Sequence, residues 1–186
     1  MKRKGMGTVI AIVGMTGSGK SEVASVFEKS GFTRIRFGDL TDDEVKRRGL
    51  ALNENNERQA RELLREEHGM DAYARLNLPR IEEALANSRV VIDGMYSWEE
   101  YAFLKSRYGN DFLVVAVWAA PKTRYARLTE RSDRGLTAAE AASRDRAEIE
   151  NLNKGGPIAM ADFTILNESS LADLRDATER VIDSIR

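Results

Sequence analysis

Gly14-Met15-Thr16-Gly17-Ser18-Gly19-Lys20-Ser21 decides the fold of this chain, because it fits the phosphate-loop pattern G-x-x-x-x-G-K-[ST] at every fixed position. Glycines let backbone N–H groups turn inward around phosphate oxygens, and a lysine at this position reaches the β- and γ-phosphates. The serine hydroxyl that follows can bind Mg²⁺. The residues expected to contact the nucleotide are Gly14, Thr16, Gly17, Ser18, Gly19, Lys20 and Ser21.

The sequence on either side of the loop has the strand–loop–helix order that this motif needs. Residues 8–13 are mostly apolar and β-branched, and residues 21–27 have a helical pattern. A chance glycine-rich turn is the competing interpretation, and the context makes it much the weaker one. We therefore expect the chain to bind a nucleoside triphosphate, with a lean towards ATP, together with Mg²⁺.

Composition narrows the class of protein. The 186 residues suit one domain, and a net charge of −1 gives no reason to expect a nucleic-acid partner. The chain has no cysteine, which fits a reducing compartment. Its longest apolar run, residues 112–120, is shorter than the ~20 residues of a membrane span. We expect a cytoplasmic protein without a signal peptide, membrane or nucleic-acid partner; its oligomeric state stays open.

Strand and helix signals alternate along the chain. The predicted strands are residues 8–13, 33–37, 89–92, 112–119 and 163–166. The predicted helices are residues 21–27, one opened by a capping box at 41–44, 53–68, 72–85, 97–108, one starting at Pro121, 137–152 and 170–185. This alternation predicts an α/β fold with a parallel sheet covered on both faces. Trp118, in the fourth strand, is expected in the core.

Acidic residues follow two of the predicted strands at the edge where open parallel sheets bind ligands. Asp93 ends the third strand, where a carboxylate can hold Mg²⁺, the alternative being a turn aspartate before Gly94. Asp39 follows the second strand and either caps the next helix or accepts a proton from a substrate hydroxyl. We predict Asp93 as a metal ligand with Ser21, and Asp39 as a catalytic candidate.

The helix after Pro121 carries a row of arginines on one face: Arg124, Arg127, Arg131 and Arg134. Their mutual repulsion would be relieved by a polyphosphate, so we favour phosphate contact for one or two of them over a purely solvated face. Arg131 and Arg134 flank a loop-like segment and are the catalytic candidates, because they can move in as a lid closes. Arg127 is predicted to contact the nucleotide.

Other charged residues have two open interpretations. Asp145 lies on a predicted apolar stripe of the 137–152 helix, where a carboxylate needs a partner such as Arg146 or a lid arginine. The other members of the stripe are Ala138, Ala142, Ile149 and Leu152. Four arginines between the second and third strands either cover an acceptor substrate or, as we favour for most, face solvent: Arg61, Arg65, Arg75 and Arg80.

Several motifs in this order resemble the adenylate-kinase-like P-loop small-molecule kinases. They are the phosphate loop, Gly38-Asp39, Ile92-Asp93-Gly94, the helix after Pro121, and Ala161-Asp162-x-x-Ile165-x-Asn167. The most similar branches are the dephospho-CoA kinases and the dephospho-CoA kinase-like, nucleotide kinase-related family, which the stretch 61–70 also resembles. The resemblance implies one P-loop domain over 1–186, in three α/β/α layers with a five-stranded parallel sheet. It also implies an acceptor-binding helical region at about 40–86 and a short helical lid at about 121–152.

The resemblance further implies that Lys20 stabilises the transferring phosphate, Ser21 holds Mg²⁺ and a lid arginine contacts phosphates. It leaves the acceptor open, because Met95-Tyr96 replaces the usual proline and arginine of nucleoside monophosphate kinases. The predicted function is transfer of the γ-phosphoryl group of ATP to a small nucleotide-like acceptor, of nucleoside monophosphate or dephospho-CoA type. The alternative is a nucleotide-dependent regulatory ATPase or switch that acts on a protein partner.

Overall fold

The computed structural model describes residues 7–132 and 135–185. In these residues the strands are β1 (Val9–Val13), β2 (Thr33–Arg36), β3 (Val90–Asp93), β4 (Phe112–Trp118) and β5 (Phe163–Leu166). They form one five-stranded sheet in the order β2-β3-β1-β4-β5, and every neighbouring pair is parallel. The phosphate loop therefore leaves the middle strand of the sheet, between the ends of β3 and β4.

The helices of the described residues are α1 (Lys20–Lys29), α2 (Asp39–Arg47), α3 (Glu54–His68), α4 (Ala72–Leu85), α5 (Trp98–Tyr108), α6 (Pro121–Thr129), α7 (Ala138–Leu152), α8 (Gly155–Ala159) and α9 (Leu171–Ile185). Side-chain caps fix the starts of several of them, among them α3, α5 and α7. Asn53 accepts the backbone N–H of Asn56, and Ser97 and Thr137 each form a capping box. These caps hold α3, α5 and α7 at positions where the predicted helices begin.

Helices cover both faces of the sheet. Alternate residues of β1 therefore pack into two different cores, one on each face. Val9, Ala11 and Val13 pack with residues of α3, α4 and α5. Ile10 and Ile12 pack with residues of α1 and α9. All five side chains are fully buried, which explains why the strand is apolar throughout instead of alternating. The predicted α/β fold of three layers with a five-stranded parallel sheet is confirmed.

Helices α6 and α7 share a small core of their own. Leu128, Leu136 and Ala141 are buried together, and Tyr125 packs against them. This cluster is separate from the two cores of the sheet. The α6–α7 segment is thus packed as a unit beside the carboxyl edge of the sheet.

The predicted start of α2 is wrong. The helix begins at Asp39 with Gly38 at its N-cap, two residues before the expected capping box. Thr41 is buried inside the first turn, and its hydroxyl lies 2.6 Å from the hydroxyl of Tyr73. Glu44 is unavailable for a capping box because it accepts hydrogen bonds from Arg47, the last residue of the helix, and from Arg48, which follows it. A tertiary contact therefore outcompetes the local cap.

Two burial predictions are also wrong. Trp118 is 46% exposed, since it is the last residue of β4 and lies beside Leu166 of the edge strand, which is exposed as well. Ile149 is 53% exposed, because the buried face of α7 carries Ala141, Asp145 and Glu148 instead of the expected stripe. The short helix α8 was not predicted. In the described part of the chain, no helix is long and apolar enough to cross a membrane.

Replacing Ile92 by Ala is expected to destabilise the protein by about 2–5 kcal/mol, because the side chain is fully buried in β3 and its loss leaves a cavity. Urea unfolding measures the change. The control is Leu166→Ala, which removes a comparable aliphatic side chain that is 66% exposed, and should change stability by no more than about 0.5 kcal/mol. Equal losses in the two variants would contradict the assignment of the core.

Candidate active site

The phosphate loop opens into a cavity of about 250 Å³ at the carboxyl edge of the sheet. The cavity is also lined by parts of α2, α3, α6 and α7. The predicted nucleotide-binding residues that reach it are Thr16, Gly17, Gly19, Lys20 and Ser21. Gly14 and Ser18 belong to the same loop but do not line the cavity. Most of the predicted phosphate-binding residues thus surround one space.

The loop backbone has positive φ angles that only glycine adopts without strain. Gly14 has φ 144°, and a Cβ there would collide with the carbonyl oxygen of Val117 on β4. Gly19 has φ 101°, and a Cβ there would collide with the side-chain amide of Asn167. The Asn167 amide also donates to the carbonyl oxygen of Ser18 at 2.8 Å. The glycines therefore allow neighbouring elements to approach and hold the loop.

Lys20 is the cation of the loop, and it is partly buried in the wall of the cavity. Its Nζ donates to the carbonyl oxygen of Met15 at 2.9 Å. Burial, followed by the positive charge of Lys154, lowers the pKa of Lys20 to about 7. An incoming phosphate would supply the opposite charge and favour the protonated form.

The predicted Mg²⁺ ligands Ser21 and Asp93 both line the cavity. Asp93 is buried, and its Oδ2 accepts from Nη2 of Arg34 at 2.5 Å. No group of three or more acidic or histidine side chains among residues 7–132 and 135–185 could hold a metal ion by itself. Mg²⁺ at this place would need nucleotide phosphates as further ligands, which is its usual coordination in phosphoryl-transfer sites. Ser18 Oγ is buried and has no hydrogen-bond partner in the part of the chain that the structure describes.

Asp39 does not line the cavity. Its carboxylate is 37% exposed, accepts from Arg36 at 3.1 Å and lies 3.5 Å from Arg80. Asp42, one turn further along α2, lines the cavity instead, with its carboxylate 13% exposed. Both carboxylates accept from Nη1 of Arg36, which itself lines the cavity.

Of the four arginines predicted to share one helix face, only Arg124 and Arg127 lie on α6, because the helix ends at Thr129. Arg124 is buried, and its two terminal nitrogens donate to the Asp145 carboxylate at 2.9 and 2.6 Å. The arginine is therefore the partner that Asp145 needs, and it serves structure. Arg127 donates to the carbonyl oxygen of Asn167 at 2.9 Å and does not line the cavity. Arg131 lines it, and Arg134 lies outside the described residues.

Of the four arginines between β2 and β3, most of which were expected to face solvent, two in α3 line the cavity. Arg61 is 20% exposed and donates to Glu54 at 2.6 Å. Arg65 is buried, stacks over the ring of Tyr73 and lies 3.5 Å from Glu100. Their spacing of four residues was the available signal, because it places both on one face of a helix. Arg75 and Arg80 do not line the cavity.

Sequence reasoning missed a second group of charges, contributed by α7 and by Lys154, two residues after its end. Glu148 accepts from the Thr16 hydroxyl at 3.0 Å, from Arg144 at 3.1 Å and from Lys154 at 2.6 Å. Lys154 is completely buried, and its ammonium lies over the ring of Tyr96, 4.3 Å from its centre. Nothing in the local pattern marks Lys154, since its neighbours are polar and glycine.

A second cavity of about 610 Å³ continues from the first, between α3 and α7. The two cavities share six lining residues: Glu54, Arg61, Arg65, Tyr96, Leu136 and Arg144. The larger cavity adds apolar surface from Met70, Ala147 and Leu152. The cavity lies between α3, in the region expected to bind an acceptor, and α7, in the region expected to form the lid.

The central phosphate loop and the parallel sheet define a P-loop nucleotide-binding protein, and residues 10–151 match a family model described as an AAA domain. A UPF0200 protein of Thermococcus kodakarensis is 33% identical over 181 residues, covering 95% of this chain and 97% of that protein. A UPF0200 protein of Pyrococcus furiosus is 35% identical over 181 residues, with coverage of 95% and 97%. The chain belongs to the UPF0200 family of AAA-domain proteins.

Several solved structures with a similar fold are small-molecule kinases. A shikimate kinase from Bacteroides thetaiotaomicron has a TM-score of 0.60 at 14% identity, covering 96% of this chain and 98% of that one. A dephospho-CoA kinase from Campylobacter jejuni has a TM-score of 0.56 at 16% identity, with coverage of 97% and 98%. At this identity the likeness concerns the fold alone. The expected resemblance to P-loop small-molecule kinases is confirmed at that level.

Lys20→Met is expected to stabilise the protein at pH 6 by about 2–4 kcal/mol, because it removes a cation whose burial is unfavourable. The folded-state pKa of about 7 lies below that of an unfolded lysine, so between these values the unfolded chain holds a proton that the folded chain lacks. The wild type therefore gains stability as the pH rises from about 7, and the difference should shrink towards pH 10.

Urea unfolding at pH 6, 8 and 10 measures this difference. Lys29→Met is the matched control, since Lys29 is exposed on the same helix. A constant difference between wild type and Lys20→Met over this range would show that burial does not lower the pKa of Lys20.

Proposed function

We propose that this protein is an ATP-dependent phosphotransferase that moves the γ-phosphoryl group to a small nucleotide-like acceptor. The observation that carries the proposal is the continuity of the two cavities. The phosphate-loop lysine lies at the end of a space that extends about 610 Å³ further between α3 and α7. A volume of that size suits a second small molecule, whereas simple hydrolysis requires only a water.

The nucleotide half of the site is proposed as follows. The loop backbone from Gly14 to Gly19 binds the phosphates, and Lys20 stabilises charge on the transferring group. Mg²⁺, when bound with ATP, neutralises phosphate charge; Ser21 and Asp93 are the residues that would hold it. Arg127, beside the loop after β5, contacts the nucleotide. Arg131 and Arg134 close over the phosphates as parts of a lid at about 121–152.

The acceptor half is formed by the helical region at about 40–86. Phosphoryl transfer depends mainly on positioning and on electrostatic stabilisation of the phosphoryl oxygens, so the cations of this region matter more than a strong base. Asp42 is the carboxylate of α2 that lines the cavity. We propose it ahead of Asp39 as the group that accepts the proton of the acceptor hydroxyl.

The side chains that line the cavity narrow the chemical class of the acceptor. Arg36, Arg61 and Arg65 reach the cavity from β2 and α3, which supports an acceptor that carries an anionic group. Nucleoside monophosphates and dephospho-CoA both meet this condition, in line with the resemblance to the dephospho-CoA kinase-like branch. A cytoplasmic location stays a prediction of the composition.

The direct test incubates the protein with Mg²⁺-ATP and a panel of nucleoside monophosphates, nucleosides and dephospho-CoA, and measures ADP release. At least one anionic acceptor should raise the rate well above that of ATP alone. Slow hydrolysis that no acceptor stimulates would contradict the proposal and favour a regulatory ATPase. Lys20→Ala should reduce turnover by at least 100-fold, or about 3 kcal/mol of barrier; turnover that survives would overturn the phosphate-loop assignment.

Arg61→Met is expected to raise the KM for the stimulating acceptor about tenfold or more while leaving the ATP affinity within about threefold, since a charge-assisted contact contributes about 1.5–3 kcal/mol. Steady-state kinetics with both substrates varied measures the two effects. Arg47→Met is the control, because Arg47 is exposed on α2 and lines neither cavity. A uniform change in both KM values would contradict the acceptor role of Arg61.

A further inference from the structure

Helix α7 holds the phosphate loop at one residue, Thr16, by two routes. The first is direct, because the Thr16 hydroxyl donates to Oε1 of Glu148 at 3.0 Å. The second passes through Arg124, whose Nη1 donates to the carbonyl oxygen of Thr16 at 3.1 Å and to Asp145 at 2.9 Å. Asp145 and Glu148 are three residues apart on the same face of α7. Both ends of Thr16 are thus fixed by one helix.

Both carboxylate oxygens of Glu148 are occupied. Oε2 accepts from Lys154, and Oε1 is shared by Thr16 and Arg144. Burial alone would raise the pKa of Glu148, but the adjacent cations Lys154 and Arg144 outweigh it, so the pKa lies well below its usual range and the group is charged. A fully engaged, charged carboxylate has one orientation available, which is what a positioning group requires.

The same carboxylate also fixes Arg144. That guanidinium lines both cavities, with Nε bonded to Glu148 and Nη1 to Glu54 of α3 at 2.8 Å. Glu148 therefore stands between the phosphate loop on one side and a cation at the junction of the two cavities on the other. Any group at that junction meets Arg144 in an orientation set by Glu148.

The buried charge of Lys154 makes its pairing with Glu148 energetically costly, which argues against an incidental contact between the two side chains. Its ammonium is completely buried and pairs with Glu148 at 2.6 Å. Buried ion pairs add little to stability compared with apolar residues of the same volume. The pair lies against the phosphate loop and the ring of Tyr96, at the edge of the sheet where the site is. A functional use explains a charge pair at this position better than stability does.

We propose that Glu148 is a positioning residue for phosphoryl transfer, which orients Thr16 of the phosphate loop and Arg144 at the cavity junction while Lys154 serves as its buried counter-ion. This inference rests on the proposed function and names a residue that acts through two others. Glu148 itself does not act as the base, because three donors already occupy its oxygens.

The decisive variant replaces the whole pair, as Glu148→Met with Lys154→Met. Removing both charges together leaves no unpaired ion, so the melting temperature should stay within a few degrees of the wild type. The probes are a fluorescent ATP analogue for binding and ADP release from Mg²⁺-ATP for turnover. We expect kcat to fall at least tenfold while the KM for ATP changes less than threefold. Glu150→Gln, on the exposed side of α7, is the control and should keep both values.

Three outcomes separate the possibilities. A stable double variant with wild-type kcat would overturn the proposal and leave the pair a structural feature. A wild-type protein that fails to bind the ATP analogue would overturn the proposed function itself, before Glu148 is considered. If the double variant does not fold, Thr16→Val and Thr16→Ser decide the matter without touching the ion pair. Loss of turnover in Thr16→Val that Thr16→Ser restores supports the proposal, and equal turnover in the two contradicts it.

Discussion

The backbone of the phosphate loop must stay open towards phosphate oxygens, and the rest of the structure depends on that constraint. The glycines of the loop have no side chains to hold its shape, so contacts with neighbouring elements help to fix it. β4 approaches it at Gly14, Asn167 bonds the Ser18 carbonyl, and Arg124 and Glu148 hold Thr16. These neighbours come from β4, the segment after β5, α6 and α7. The site is therefore assembled by almost every element at the carboxyl edge of the sheet.

The positive and negative side chains that line the site are nearly equal in number. The smaller cavity is lined, within the described residues, by six basic and five acidic side chains. Most cations already have a carboxylate partner, as Arg61 has Glu54 and Arg144 has Glu54 and Glu148. Such pairing keeps the cations oriented at moderate energetic cost. An anionic ligand would then replace a carboxylate as the partner of a cation. The lining can therefore bind phosphate without carrying a large excess of positive charge.

Local patterns predicted what depends on local physics. Apolar runs placed the strands, because a strand buried on both faces has to be apolar throughout. Asn53, Ser97 and Thr137 marked helix starts, because a cap bonds a backbone N–H only three residues away. The cap predicted at Thr41 failed since a partner from α4, the Tyr73 hydroxyl, lies 2.6 Å from the Thr41 hydroxyl. The predicted burial of Trp118 is wrong because the sequence of a strand does not show how far the covering helices extend.

By itself the sequence determined the phosphate loop, the α/β class and the need of Asp145 for an arginine, each of which follows from spacing or from the cost of burying a charge. The tertiary structure alone decided which charges meet. Thr16 and Glu148 are 132 positions apart, and Lys154 has no periodic pattern that marks it as buried. A charged side chain gains its partner only when the chain folds, because electrostatic attraction depends on distance in space and on burial, and neither is encoded in local spacing.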